Sequence, residues 1–301
     1  MINLFLLAPT TYLPPKTMTT LNHSERVHIA GLEINVAYAC NLKCEYCSHL
    51  GRFMKGIVPQ DEILLWYRSW NTKIRPKNIR VLGGEPLLHP HLESILYETR
   101  NHWQDSRVEL VTNGLLLPKM EPAIFDALKK IGAAVTVSQH FDDPHYNSLF
   151  AAGIEMLGKN EIEPHITRSN KYWRKCYRLN EQGHAMPFQS DPAKAWKNCL
   201  IKNVCTTLLD NCLYRCSLLG CYSYAVKKGF VPFDGWKNVL DYKPLPPSCT
   251  QEELEAFMRG GVCEQCSICP EEFKFADGYE KINPFGLTST RNLFNGDTSH
   301  E

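Results

Sequence analysis

From residue 34 to residue 167, short apolar runs alternate with stretches that read as helices, and that alternation leaves few folds open. The strand candidates are residues 34–39, 79–82, 108–112, 135–138 and 162–167, the last interrupted by Pro164. Between them, residues 61–71, 92–100 and 121–130 carry helical patterns, the first with Leu64, Leu65 and Tyr67 near one face. Repeats of strand and helix build βα units around a parallel sheet. Such sheets carry their chemistry at the C-terminal ends of the strands. An α/β class is therefore expected.

Directly after the first strand comes Cys40-Asn41-Leu42-Lys43-Cys44-Glu45-Tyr46-Cys47, a Cys-x3-Cys-x2-Cys cluster. Three thiolates this close can hold three irons of a [4Fe-4S] cube and leave the fourth open to a small molecule. Zinc is the plain alternative, but a structural zinc site wants four ligands, usually as two spaced pairs. The second strand closes on Val81-Leu82-Gly83-Gly84-Glu85-Pro86. Paired glycines allow close backbone approach, and a carboxylate can meet an ammonium group. Thr112-Asn113-Gly114 ends the third strand and Ser138 the fourth.

The cysteine spacing, with an aromatic residue before the third cysteine, resembles the radical S-adenosylmethionine (SAM) superfamily. That resemblance implies a partial (β/α)6-type barrel in which Cys40, Cys44 and Cys47 hold a [4Fe-4S] cluster and SAM fills the open site. One electron then cleaves SAM to methionine and a 5′-deoxyadenosyl radical. The resemblance further assigns Gly83, Gly84 and Glu85 to the methionine amine, Asn113 to the shape of the SAM pocket, Ser138 (or Gln139 or His140) to the ribose, and Tyr46 to the adenine. The family's Gly-x-Ile-x-Gly type of segment near the fifth strand is not recognisable here.

Bulk properties narrow the setting. The 301 residues suit one large domain plus a small one, and a net charge of +1 points to neither nucleic acid nor a membrane surface. No apolar run approaches the roughly 18 residues of a spanning helix. Residues 2–8 are apolar, but they lack the basic start of a secretory signal. A cytoplasmic protein is expected, and there thirteen cysteines need a reason other than disulfides. The division expected is an extension at 1–29, the barrel at 30–195, a cysteine-rich module at 196–275 and a tail at 276–301.

In that module residues 204–209 and 213–216 flank Asp210-Asn211, a good hairpin turn pair. Cys199 precedes the hairpin, Cys216 ends it, and Cys263 and Cys266 form a tight pair further on. These four are the candidate ligands of one auxiliary [4Fe-4S] cluster, with Cys269 and Cys205 as replacements and zinc as the alternative. The layout resembles the twitch domain, the shortened relative of the SPASM domain.

Two clusters would use seven of the thirteen cysteines and leave six. Most read as small buried residues. Cys249 differs: it follows the stiff segment Lys243-Pro244-Leu245-Pro246-Pro247-Ser248 and precedes Thr250, which forms a capping box with Glu253. A thiol so positioned can return a hydrogen atom to a carbon radical.

Peptide-modifying relatives commonly begin with a recognition domain, and the thirty-nine residues before Cys40 are too few for one plus the first strand. A small-molecule substrate is expected. The whole layout resembles the aminoglycoside epimerases of this superfamily, which implies inversion at C5‴ of neomycin C to give neomycin B, with Cys249 as the hydrogen donor. It also implies an external one-electron reductant of the flavodoxin or ferredoxin type. A polycationic substrate calls for carboxylates, and the sequence does not select among Asp142, Asp143, Asp191, Glu252 and Glu253. The rivals are a radical SAM dehydrogenase of an amino-cyclitol alcohol and a non-catalytic iron–sulfur carrier.

Overall fold

The computed structural model describes residues 26–169, 174–202, 204–232 and 235–272. The expected tail at 276–301 and most of the N-terminal extension lie outside these. In chain order the barrel elements are β1 (Val27–Ala37), α1 (Gln60–Trp70), β2 (Ile74–Gly83), α2 (Leu92–His102), β3 (Arg107–Thr112), α3 (Pro122–Lys130), β4 (Ala134–Ser138), α4 (Pro144–Lys159) and β5 (Pro164–Thr167). A small hairpin, β6 (Arg178–Leu179) and β7 (Ala185–Met186), leads to α5 (Pro192–Lys197). Then come β8 (Thr206–Leu209), β9 (Cys212–Tyr214), α6 (Ser217–Lys227), α7 (Lys237–Asp241), α8 (Gln251–Arg259) and a 3-10 turn at Glu264–Ile268.

Seven strands form one sheet in the order β5-β4-β3-β2-β1-β8-β9. Every neighbouring pair is parallel except β8 with β9. The α/β class with a parallel sheet, expected from the alternation, is observed, in keeping with the partial barrel that the resemblance implied. Strand β1 lies inside the sheet between β2 and β8, and its residues from Leu32 to Ala37 are all buried, as a strand covered on both faces must be. It begins well before the apolar run at 34–39, because pairing of Val27 with Ile74 extends the ladder downward.

The expected hairpin exists, with Asp210 (φ 48°) and Asn211 (φ 57°) both left-handed, as a type I′ turn requires. It is not detached from the barrel: β8 pairs with β1 through Leu32–Thr206 and Ile34–Leu208. The cysteine-rich segment therefore begins as the next strand of the same sheet.

Two helices differ from the sequence pattern. In α1 the buried residues are Ile63, Trp66, Tyr67 and Trp70, while Leu65 is 50% exposed. The two tryptophans, four residues apart, set the inward face. Helix α4 was not marked by periodicity at all. Asp143 caps it by accepting from Tyr146 N at 2.9 Å, and Pro144 opens it. Its middle, Ala151-Ala152-Gly153, is too small to print an apolar stripe.

Candidate active site

The loop carrying Cys40, Cys44 and Cys47 leaves the C-terminal end of β1, where a parallel sheet places its chemistry. What holds the loop is close backbone packing against the end of β2. Gly84 N donates to Ala37 O at 2.7 Å and Glu85 N to Ala39 O at 2.9 Å. A Cβ at Gly84 would collide with the carbonyls of Ala39 and Tyr38, and one at Gly83 (φ 152°) with that of Ala37. The two glycines are thus required by the exit of β1 itself.

Glu85 is fully buried. Its carboxylate accepts from Thr112 Oγ1 at 2.6 Å, Asn113 N at 2.9 Å and Leu87 N at 3.0 Å. Burial pushes the carboxyl up to about 7 in spite of these three donors. Its side chain ties the end of β2 to the end of β3. Asn113 in turn donates from Nδ2 to Asn41 Oδ1 at 2.7 Å, and the same nitrogen lies 3.9 Å from Cys40 Sγ. The three segments singled out in the sequence therefore meet: the cysteine loop, Gly83–Glu85 and Thr112–Gly114.

The three thiols share one electrostatic environment. Burial raises Cys40 to about 11, and burial followed by the nearby Cys47 and Cys40 raises Cys44 to about 12. Cys47 is raised by burial as well. As free thiols all three hold their protons at neutral pH, so binding a metal group must displace them. The donor set, three sulfurs on one short loop, fits a [4Fe-4S] cube with one iron left unligated by protein.

Tyr46 stands in the loop at φ 55°, its ring 5.5 Å from that of Tyr177 and beneath Lys175 Nζ at 5.2 Å. At the end of β4, Ser138 Oγ accepts from Thr167 Oγ1 at 3.0 Å. Gln139 N donates to Thr167 O at 2.8 Å and His140 N to Tyr146 OH at 2.9 Å. All three ribose candidates are half-buried, and burial lowers the His140 ring to about 4.

A second group of thiols lines a cavity of about 50 Å³. Cys199, Cys216, Cys263, Cys266 and Cys269 all face it, beside Trp196 and Arg215. Cys216 caps the N-terminus of α6, and Cys263 and Cys269 flank the 3-10 turn. Cys263 and Cys266 have sulfurs 3.6 Å apart. Hydrogen bonding from Cys266, then the Arg215 guanidinium, pull the Cys263 thiol down. Arg215 is itself pinned, stacked on Trp196 at 5.4 Å and donating to Gly261 O. The four ligands named from sequence thus converge with Cys269 as a fifth. Cys205 points elsewhere, with its sulfur 3.8 Å from Arg80 Nη1. Among the described residues no three His, Cys, Asp or Glu side chains close on a single-ion site. The thiols surround a space instead, which suits a multi-iron group.

A match to the family model of the radical SAM superfamily covers residues 34–157, which run from the middle of β1 to the end of α4. Residues 34–157 are a radical SAM domain. Similar curated proteins include the GTP 3′,8-cyclase of Staphylococcus saprophyticus, 33% identical over 115 residues (36% of this chain, 34% of that one). The probable GTP 3′,8-cyclase of Methanococcus maripaludis is 30% identical over 141 residues, 46% of each chain. The chain spans less than half the length of these relatives. Among solved structures, BtrN in complex with AdoMet and 2-DOIA matches with a TM-score of 0.50 at 15% identity, over 80% of this chain and 91% of that one. That likeness concerns the fold.

The structure does not bring Cys249 to the radical SAM loop. Its carbonyl accepts from Lys73 Nζ at 3.0 Å, and Lys73 stands just before β2, where its own carbonyl receives Val27 N. The cysteine loop is at the other end of β1, an 11-residue strand spanning about 33 Å. The candidate substrate carboxylates are also engaged locally. Asp143 and Asp191 cap α4 and α5, Glu253 completes the capping box of α8, and Asp142 accepts from Asn147 Nδ2 at 2.9 Å. Glu252 lies exposed in the first turn of α8.

Proposed function

We propose that the chain is a radical SAM epimerase that inverts one carbon stereocentre of an aminoglycoside, neomycin C to neomycin B at C5‴. Cys40, Cys44 and Cys47 would hold the SAM-binding [4Fe-4S] cluster. Cys199, Cys216, Cys263 and Cys266 would hold an auxiliary one, with Cys269 as the replacement on the same cavity. When bound, the first cluster and SAM supply the one-electron chemistry that removes the substrate hydrogen, which no side chain here can do. Gly83, Gly84 and Glu85 would present backbone to the methionine end of SAM, with Asn113, Ser138 and Tyr46 around the remainder.

The observation that carries the epimerase reading is the isolation of Cys249. The charges that act on it are Lys73 and Glu253, not another cysteine, and burial raises its thiol. It therefore keeps the S–H bond that a hydrogen-atom donor needs. Cys249 breaks that bond to form the new C–H bond on the opposite face of C5‴. The sulfur radical left behind takes one electron and one proton, the electron coming from an external reductant of the flavodoxin or ferredoxin type. This role requires the loop at 243–250 to leave Lys73 and re-seat at the barrel mouth when substrate binds.

A second reading, oxidation of an amino-cyclitol alcohol without a thiol donor, is favoured by the present location of Cys249 at the foot of β2. The reaction run in heavy water separates the two. Epimerisation by Cys249 puts solvent deuterium into the inverted product, and Cys249→Ala abolishes that product. A carbonyl product, or epimer formed by Cys249→Ala at the wild-type rate, defeats the reading.

A further inference from the structure

The chain between β5 and β6 brings a cation beside the auxiliary thiols. Arg174 lines a space whose wall also holds Cys176, Cys199, Leu218 and Cys269. Cys199 and Cys269 face the auxiliary cavity as well, so the guanidinium stands on the flank of that thiol group. The segment is firmly seated. Tyr177, fully buried, sets its ring 5.5 Å from that of Tyr46 and 6.1 Å from that of Phe53. The Cys176 carbonyl accepts from Tyr222 OH of α6 at 3.3 Å, and Arg178 donates from Nε and Nη2 to Pro187 O at 3.1 and 3.0 Å. The neighbouring Lys175 places its Nζ over the Tyr46 ring, while Arg215 acts on Cys263 from the other side of the cavity.

Sulfur, not carboxylate, surrounds this charge. Burial works against the guanidinium, while Cys176, Cys269, Cys199 and Cys205 favour it, with a net upward shift. Glu272 touches the same space but lies exposed. In metal-free protein this compensation is incomplete. Burial raises Cys269 well above the usual thiol range, so at neutral pH that sulfur carries its proton and no charge. Enclosing a guanidinium without an anion is costly. Four thiolates around an oxidised [4Fe-4S] core form a dianion, and one added electron makes a trianion. The group that the donor set fits therefore also brings the negative charge that neutral thiols cannot.

We propose that Arg174 is the counter-charge of the auxiliary group and sets its reduction potential. The proposal rests on reading the cavity as a [4Fe-4S] site and is independent of the substrate and of Cys249. Arg174 keeps its proton throughout, so its charge is constant and its attraction for the group grows when an electron arrives. Net charge and contacts to the sulfurs are what tune such potentials, and a half-enclosed setting strengthens the effect. Arg174 therefore favours the reduced form. The one electron comes from the external reductant of the flavodoxin or ferredoxin type, and no proton moves to or from Arg174.

The test is a reductive titration followed by electron paramagnetic resonance. It uses the anaerobically reconstituted full chain carrying Cys40→Ala, Cys44→Ala and Cys47→Ala, so that only the auxiliary group gives a signal. In this background Arg174→Gln should lower the equilibrium constant for reduction about tenfold to a hundredfold, the scale of a lost charge-assisted contact. For one electron that is a midpoint about 59 to 118 mV more negative. Arg174→Lys, which keeps the charge, should stay near the parent value. Iron content and the thermal midpoint of each variant report whether it has folded and loaded. An iron-loaded Arg174→Gln protein with the parent potential overturns the counter-charge while the auxiliary-cluster reading stands, and so does an Arg174→Lys potential equal to that of Arg174→Gln. If Arg174→Gln sheds its iron, retention by Arg174→Lys supports the charge, and loss by both overturns it. A background protein that takes up no iron defeats the auxiliary-cluster reading and the counter-charge with it.

Discussion

Replacing Gly84 with alanine should empty one metal centre and spare the other. The residue is not in the left-handed region, so alanine pays no conformational penalty there, and the cost is steric alone. The added carbon would overlap the carbonyl oxygens of Ala39 and Tyr38, both backbone and both unable to rotate away. Overpacking of this kind costs about 1–3 kcal/mol. Relief requires parting the exit of β1 from the end of β2, which also breaks Gly84 N to Ala37 O and Glu85 N to Ala39 O, about 1 kcal/mol each. The local cost is then roughly 3–5 kcal/mol, borne by the residues that immediately precede Cys40. Iron and sulfide analysis after anaerobic reconstitution is the assay, alongside the change in electron paramagnetic resonance on adding SAM. The expected variant keeps about four irons in place of eight and shows no SAM-dependent spectral change. A full iron complement with a normal response to SAM would show that the close approach does not position the loop.

Four further outcomes follow from individual contacts. Gly158→Ala in α4 meets open space and should stabilise the protein by about 0.5–1 kcal/mol in denaturant unfolding, while Gly153→Ala in the same helix, facing the Gly114 carbonyl, should destabilise it. Arg215→Gln should raise the Cys263 thiol and slow its alkylation by iodoacetamide at neutral pH in metal-free protein, because the guanidinium helps to hold it down; an unchanged rate at that cysteine removes Arg215 from the account. Glu85 is raised in the folded protein, so its protonated form contributes stability that is complete below about pH 4.5 and is lost as pH rises through about 7. In metal-free protein, wild type measured against Glu85→Gln should therefore lose about 3 kcal/mol across that window, and a difference independent of pH refutes the burial. Asp143→Ala should cost about 1 kcal/mol through the cap of α4, with little effect on aminoglycoside binding; a large loss of binding instead would return Asp143 to the substrate site.

Much of the barrel was legible because its strands are short, apolar and separated by helices, and a parallel sheet has only one way to use such a pattern. The convergence of Cys40, Gly84 and Asn113 was legible too, since each lies just past the end of a strand and strand ends meet on one rim. What escaped was set by partners distant in sequence. The extension of β1 back to Val27 depends on the ladder with β2, not on hydrophobicity. The pairing of β8 with β1 joins residues more than 170 positions apart, and no local signal announces it. For Cys249 the reverse holds, since its proline-rich approach and capping box are local and were readable, whereas its location at the foot of β2 is tertiary.

Helix α6 ties the two thiol groups into one rigid unit. Its N-cap is Cys216, in the auxiliary set, and its buried face carries Cys221, whose thiol is pushed up by burial and then by the charges of Glu33 and Cys47. Near its other end Tyr224 stacks on Tyr38 at 4.0 Å, two residues before Cys40. Eleven helical residues span about 16 Å, and nine of them are buried, so the helix cannot slide without unpacking. The separation of the two thiol groups is thereby set by the packing of α6. The loop at 243–250, joined to β9 by the Leu213–Leu245 bridge and to the start of β2 by the Lys73 bond, lies outside that frame and carries the thiol of Cys249.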